Sequence, residues 1–191
     1  MNKHLGWLLS VLTLLIGPGM TAFVYAEPAA LATCISCHGK SGQSVNPQWP
    51  NLGGQHETYI AIQLRAFRSG ERQNAVMNGI ASGLTDADIV ELSAWFSSQS
   101  HVTAANGKAE LVEQGRNRAG YCHACHGMQG QPVADEWPVL AGQNASYIAK
   151  QLAAFKSGAR YHPLMANVVR DLDRPAMMAL GAYYSQVPNY D

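Results

Sequence analysis

Cysteine is scarce and confined. The chain has four cysteines, all within two five-residue stretches, "CISCH" (34–38) and "CHACH" (122–126), so none remains for a disulfide framework elsewhere. Charge is sparse too: 14% of residues are charged and the formal net charge is zero. No run of lysine or arginine could neutralise a row of phosphates, which excludes a nucleic-acid partner. Past residue 26 no apolar run approaches the length needed to cross a bilayer. No alternating run announces a sheet either. What is present is 191 residues, 47% of them hydrophobic, enough for one large globular domain or two small ones.

The first 26 residues have their own grammar. A short basic start (Lys3, His4) precedes the apolar run "LGWLLSVLTLLI", and "VYA" ends at Ala26 with the residues a signal peptidase accepts. Residues 1–26 are read as an export signal. An uncleaved anchor through residues 5–26 is the other reading, weakened by "GPG" at 17–19. Both place the rest of the chain outside the cytoplasm, with a periplasmic location expected.

Shifted by 88 residues, the sequence falls on itself without a gap: "WPNLGGQHETYIAIQLRAFRSGER" (49–72) lies over "WPVLAGQNASYIAKQLAAFKSGAR" (137–160). A period of that size is a whole small domain, not a solenoid unit. The expected organisation is domain 1 at 27–99, a small polar linker at 100–107 and domain 2 at 108–191. Both halves read as helical, an all-α fold. Tyr59, Ile60, Gln63, Leu64 and Phe67 fall at helical spacing before a Ser69-Gly70 stop, and Thr85 with Asp88 predicts a capped helix carrying Ile89, Leu92 and Phe96. Asp173 is the matching cap before Met177, Leu180 and Tyr184, and "KAELVEQGRNRAGYC" predicts a helix leading into the second motif.

Cys-x-x-Cys-His is the attachment pattern of a c-type haem, in which two thiols take the vinyl groups and the next residue supplies the proximal ligand. Other uses of the pattern fit worse. A zinc ribbon wants its second cysteine pair some 15–20 residues on, a thioredoxin-like pair wants a βαβ setting, and structural disulfides leave both histidines unexplained. Two motifs imply two covalently bound haem c groups. A covalent haem also gives a small domain the apolar body its own core lacks.

For a sixth ligand, methionine opposite histidine is common in carriers. After the signal the first half contains one methionine, Met77, and Met165 alone stands at the repeat-related place among Met128, Met165, Met177 and Met178. Expected axial pairs are therefore His38 with Met77 and His126 with Met165. No histidine recurs at a rival position. His162, three residues before Met165, is the one kept as an alternative.

With "CISCHG", "WPNLGGQ", "QLRAFRSGER" and Met77 answered by "CHACHG", "WPVLAGQ", "QLAAFKSGAR" and Met165, residues 27–187 resemble the cytochrome c4 family. That resemblance implies two tandem class I cytochrome c domains, each wrapped around one covalent haem. It implies thioether bonds from Cys34 and Cys37 to one haem and from Cys122 and Cys125 to the other. It also implies that Pro50 and Pro138 present carbonyls to the proximal histidines, with a plain turn as the alternative. Arg72 and Arg160 become candidates for haem propionates, a solvated surface position being the other reading. Tyr59, Tyr147, Trp49 and Trp137 are read as packing residues. The last helices differ ("LSAWFSSQ" against "LGAYYSQV"), so unequal haem environments are expected.

Iron with both axial positions filled offers no site for a small-molecule substrate, and an electron carrier rather than an enzyme is expected. The resemblance implies redox-protein partners: a donor such as a bc1-type complex or dehydrogenase, and a terminal membrane oxidase, with peripheral membrane association. The second reading is the dihaem subunit of a dehydrogenase such as flavocytochrome c; a dihaem peroxidase is the third. Residues 27–99 hold four Lys/Arg against six Asp/Glu, residues 100–191 eight against seven, and this weak dipole is read mainly as solvated surface.

Overall fold

The computed structural model describes residues 27–188. The export signal read at 1–26 lies outside the described residues. Those described form helices and loops with no strand. In chain order the helices are α1 (Leu31–His38), α2 (Glu57–Ser69), α3 (Ala75–Ala81), α4 (Asp86–Ser97), α5 (Ala109–Arg118), α6 (Gly120–His126), α7 (Ala145–Ser157), α8 (Pro163–Val169) and α9 (Arg174–Gln186). The 88-residue offset carries α2 onto α7 and α3 onto α8 residue for residue. It also carries α1 onto α6 and α4 onto α9 to within one residue at their ends. Among the described residues helix α5 has no counterpart in the first half; the stretch read as one lead-in helix divides at Ala119 into α5 and α6.

Local chemistry sets the boundaries. Thr85 accepts from the Asp88 N–H while the Asp88 carboxylate accepts from the Thr85 N–H, a capping box that satisfies two otherwise unpaired donors at the start of α4. Asp173 caps α9 by accepting from the Ala176 N–H at 2.8 Å. Helices α1 and α6 both stop immediately after the motif histidine, at Gly39 and Gly127 with φ of 76°. A Cβ there would fall on the Gln43 or Gln131 carbonyl, so each motif continues as Cys-x-x-Cys-His-Gly.

Each half has its own apolar cluster. In the first, Leu31, Ile60, Leu92 and Phe96 are buried together with Cys34, Leu52, Leu64 and Trp95 packed against them. In the second, Ile148, Leu180, Tyr183 and Tyr184 are buried beside Cys122, Leu152 and Leu172. Full burial of side chains of this size stabilises by about 1.5–3 kcal/mol each before the ordering cost. Helix α9 is enclosed over most of its surface because α5 covers one side and α7 another. Gly115 of α5 lets that contact close, since a Cβ there would meet the Ala179 carbonyl.

Candidate haem sites and the face between the halves

Within α1, Cys34, Cys37 and His38 stand at i, i+3 and i+4, which places two thiols and an imidazole on neighbouring positions of one helical face. Helix α6 repeats the arrangement with Cys122, Cys125 and His126. None of the four cysteines is paired in a disulfide. In the polypeptide alone, burial raises the Cys34 and Cys122 thiols above their ordinary value.

Both motif histidines are buried, and each meets the carbonyl of a proline twelve residues on: His38 Nδ1 lies 3.0 Å from Pro50 O and His126 Nδ1 lies 3.2 Å from Pro138 O. A carbonyl only accepts, so Nδ1 carries the proton and donates. Burial lowers both imidazoles, with the proline carbonyl opposing it, so they are neutral near pH 7. A neutral ring that donates through Nδ1 keeps the Nε2 lone pair free to bind a metal. Met77 and Met165 are each the third residue of their short helix, α3 and α8, and both are half-buried. The Met77 N–H is held by the Asn74 side chain at 3.0 Å, whereas His162 at the matching place makes no such cap. His162 instead stacks edge-on with Trp137, which in turn stacks edge-on with His126.

These residues fit covalent haem. The buried Trp95 Nε1, in the apolar cluster that takes in Cys34, lacks a hydrogen-bond partner, and the buried Tyr184 hydroxyl has only the Cys122 sulfur to meet. Such atoms next to attachment cysteines need a polar group that the polypeptide itself does not supply.

Between the halves lies a polar face whose individual hydrogen bonds the sequence reading did not assign. Gln55 of the first half closes a two-bond ring on Val139: its Oε1 accepts from the Val139 N–H at 2.8 Å and its Nε2 donates to the Val139 carbonyl at 3.0 Å. Gln143 does the same to Asn51, at 2.8 and 2.9 Å. His56 Nδ1 meets the Trp137 carbonyl at 3.0 Å, and Asn144, its repeat mate, donates to the Trp49 carbonyl at 2.8 Å. The arrangement has approximate two-fold symmetry, as expected when two copies of one unit present the same patch to each other.

Arg72 and Arg160 belong to this face rather than to solvent. Arg72 donates to Gln63, Gln151 and the Tyr147 hydroxyl, while Arg160 donates to Gln151, Gln63 and the Tyr59 hydroxyl. Each guanidinium also lies 4.5 Å above a phenylalanine ring, Phe67 or Phe155. Burial alone would raise the Tyr59 phenol, yet the two guanidiniums lower it. Two half-buried cations here meet neutral oxygens and, among the described residues, no carboxylate. Tyr59 and Tyr147 thus turn to the opposite half instead of packing in their own core. The available signal was that Gln55, Tyr59 and Gln63 recur 88 residues on, and a polar residue kept in both copies of a repeat marks an interface as readily as a fold.

A Cytochrome c family model matches residues 26–100. The chain is 32% identical to cytochrome c4 of Pseudomonas aeruginosa, over 96% of this chain and 98% of that protein. It is 38% identical to a thiosulfate dehydrogenase electron acceptor of Thiomonas intermedia, over 71% of this chain and 68% of that one. Among solved structures, reduced recombinant cytochrome c4 from Pseudomonas stutzeri superposes with a TM-score of 0.78 at 30% identity, covering 86% of this chain and all of the other. Two attachment helices in one all-α chain, matched nearly end to end by such relatives, mean that the protein binds two covalent haem c groups and transfers electrons rather than catalysing a reaction; the chain belongs to the cytochrome c4 family.

Proposed function

We propose that the protein is a periplasmic carrier that takes electrons from a bc1-type complex or a dehydrogenase and delivers them to a terminal oxidase. In this reading 27–99 and 108–191 are the two haem domains and 100–107 is their linker. Cys34 and Cys37 hold one haem and Cys122 and Cys125 the other. His38 with Met77, and His126 with Met165, are the axial pairs. Haem iron with two such ligands changes oxidation state without an open position for substrate.

The chain's own residues do the rest. Pro50 and Pro138 fix the proximal rings through the bonds at 3.0 and 3.2 Å, holding the tautomer that leaves Nε2 for iron. Arg72 and Arg160 supply positive charge at the face between the halves, where it suits the carboxylates of haem propionates. The observation that carries the proposal is the repeat of the histidine–proline bond at both motifs, because one accidental Cys-x-x-Cys-His would have no reason to bring it. Haem staining of the denatured protein with a redox titration tests this directly: two covalent haems and two one-electron steps are expected. Any other haem count per chain overturns it.

A second reading rests on the relative named as a thiosulfate dehydrogenase electron acceptor. On it, the immediate donor is a periplasmic dehydrogenase and the protein works as that enzyme's acceptor. Stopped-flow reduction by a bc1-type complex and by a thiosulfate dehydrogenase separates the two, since the physiological donor reduces the protein at a rate that saturates and depends on salt.

A further inference from the structure

The Pro50–Asn51 peptide group is engaged at both ends. Its carbonyl accepts from His38 Nδ1–H at 3.0 Å, and its N–H donates to Gln143 Oε1, in the other half, at 2.8 Å. The Pro138–Val139 peptide repeats this, with His126 on the carbonyl side at 3.2 Å and Gln55 on the N–H side at 2.8 Å. Both glutamines are buried, as are Asn51 and Val139, whose N–H groups donate to them. Each glutamine carbonyl is fixed in place by a second N–H, from Asn144 at 2.9 Å or His56 at 3.1 Å, so its orientation is determined by donors alone.

We infer that Gln143 tunes the haem of the first half and Gln55 that of the second, each acting across the interface through one peptide group on the opposite proximal histidine. The inference rests on the axial assignment of His38 and His126 proposed above. A hydrogen bond to the N–H side of an amide polarises its carbonyl and strengthens it as an acceptor, and linked bonds reinforce one another by about 10–30% each. The stronger acceptor draws the Nδ1 proton, makes the imidazole a more basic ligand and favours ferric over ferrous iron. His38 is in turn the stronger donor when it is bound to ferric iron, so by reciprocity the two halves grip each other more tightly when oxidised. Gln55 and Gln143 are positioning residues; their side chains touch neither proposed axial pair.

The test is a redox titration of the full dihaem protein followed by haem-methyl resonances, which report each haem separately. In Gln143→Leu the reduction equilibrium of the first haem is expected to shift about threefold toward the ferrous state, or about 28 mV at 59 mV per decade, with the second haem nearly unmoved. Gln55→Leu should give the mirror image, and it carries the test alone if the first variant does not fold. Asn144→Ala is the control: it removes the bond to Trp49 and leaves the Asn51 N–H bond in place, so neither haem should shift comparably. Shifts of equal size at both haems, or a shift at the haem of the mutated half, would overturn the inference. Hyperfine-shifted ring protons of His38 and His126 in the unmodified protein check the ligand assignment separately. If they are present and the glutamine variants shift nothing, the inference fails and the axial reading stands; if they are absent, both fall.

Discussion

Arg72 and Arg160 donate to the same two carbonyls: Gln63 accepts at 2.6 and 2.9 Å and Gln151 at 2.8 Å from each. Either guanidinium alone therefore keeps both glutamines satisfied, and only loss of both leaves them unpaired. Arg72→Leu and Arg160→Leu should each destabilise by roughly the 1.5–3 kcal/mol of a charged hydrogen bond. The double variant should cost more than their sum by at least about 0.5 kcal/mol, the threshold at which contacting sites cease to be independent. Urea unfolding of the four members of the cycle measures this, and strict additivity would show that the arginines do not share their acceptors in solution.

Met77→His and Met165→His test the distal ligands one haem at a time. Replacing a soft thioether by imidazole removes a preference for ferrous iron, so the potential of the haem in the mutated half should fall by a sizeable part of the ~0.8 V range that axial ligands span. The other haem should keep its value to first order. Loss of the ferric methionine-to-iron charge-transfer band at only one haem is the spectroscopic counterpart. Retention of the full band in both variants would show that neither methionine binds iron.

The helices were legible because each carries its own signals: the Thr85–Asp88 box, the Asp173 cap and the glycines after Ser69 and Ser157 are all local, and all appear where the chain places them. The attachment residues were legible for a similar reason, since porphyrin geometry fixes their spacing. Gln55 and Gln143 were not, because they bond across 84 to 92 residues of chain to backbone groups whose identity leaves no mark in the sequence. Tyr59 and Gln63 show the same limit from another side. Their periodicity matches that of Ile60, Leu64 and Phe67, but the helix has two useful faces, and α2 gives one to its own core and the other to the opposite half.

Gly115→Ala should destabilise the second half while leaving the first unaffected. Alanine gains about 1 kcal/mol of helix propensity over glycine, but its Cβ would fall on the Ala179 carbonyl, a backbone atom that cannot rotate away. Moving α5 off α9 costs about 1–3 kcal/mol as overpacking does elsewhere, so a net loss is expected. Unfolding followed separately at the two haems checks it; a stabilised variant would mean that the helices sit further apart in solution than their closest approach here.

Acid should loosen α4 through its cap. The Thr85 side chain, aided by the Thr85 N–H, holds the Asp88 carboxylate below its ordinary value, and Arg68 does the same for Asp86 through a bond of 2.6 Å. A carboxylate lowered in the folded state adds stability that is complete above its unfolded value of 3.8 and is lost as pH falls through the still lower folded value. Unfolding free energy should thus begin to drop near pH 4 and continue to do so below it. Asp88→Asn removes the titrating group, so its stability should depend less steeply on pH across that window, while Thr85→Ala should lose about 1 kcal/mol at neutral pH, the usual cost of an N-cap. Urea titrations at several pH values between neutrality and about pH 2.5 measure both effects. A slope in Asp88→Asn equal to that of the unmodified protein would show that the acid sensitivity of the first half arises elsewhere.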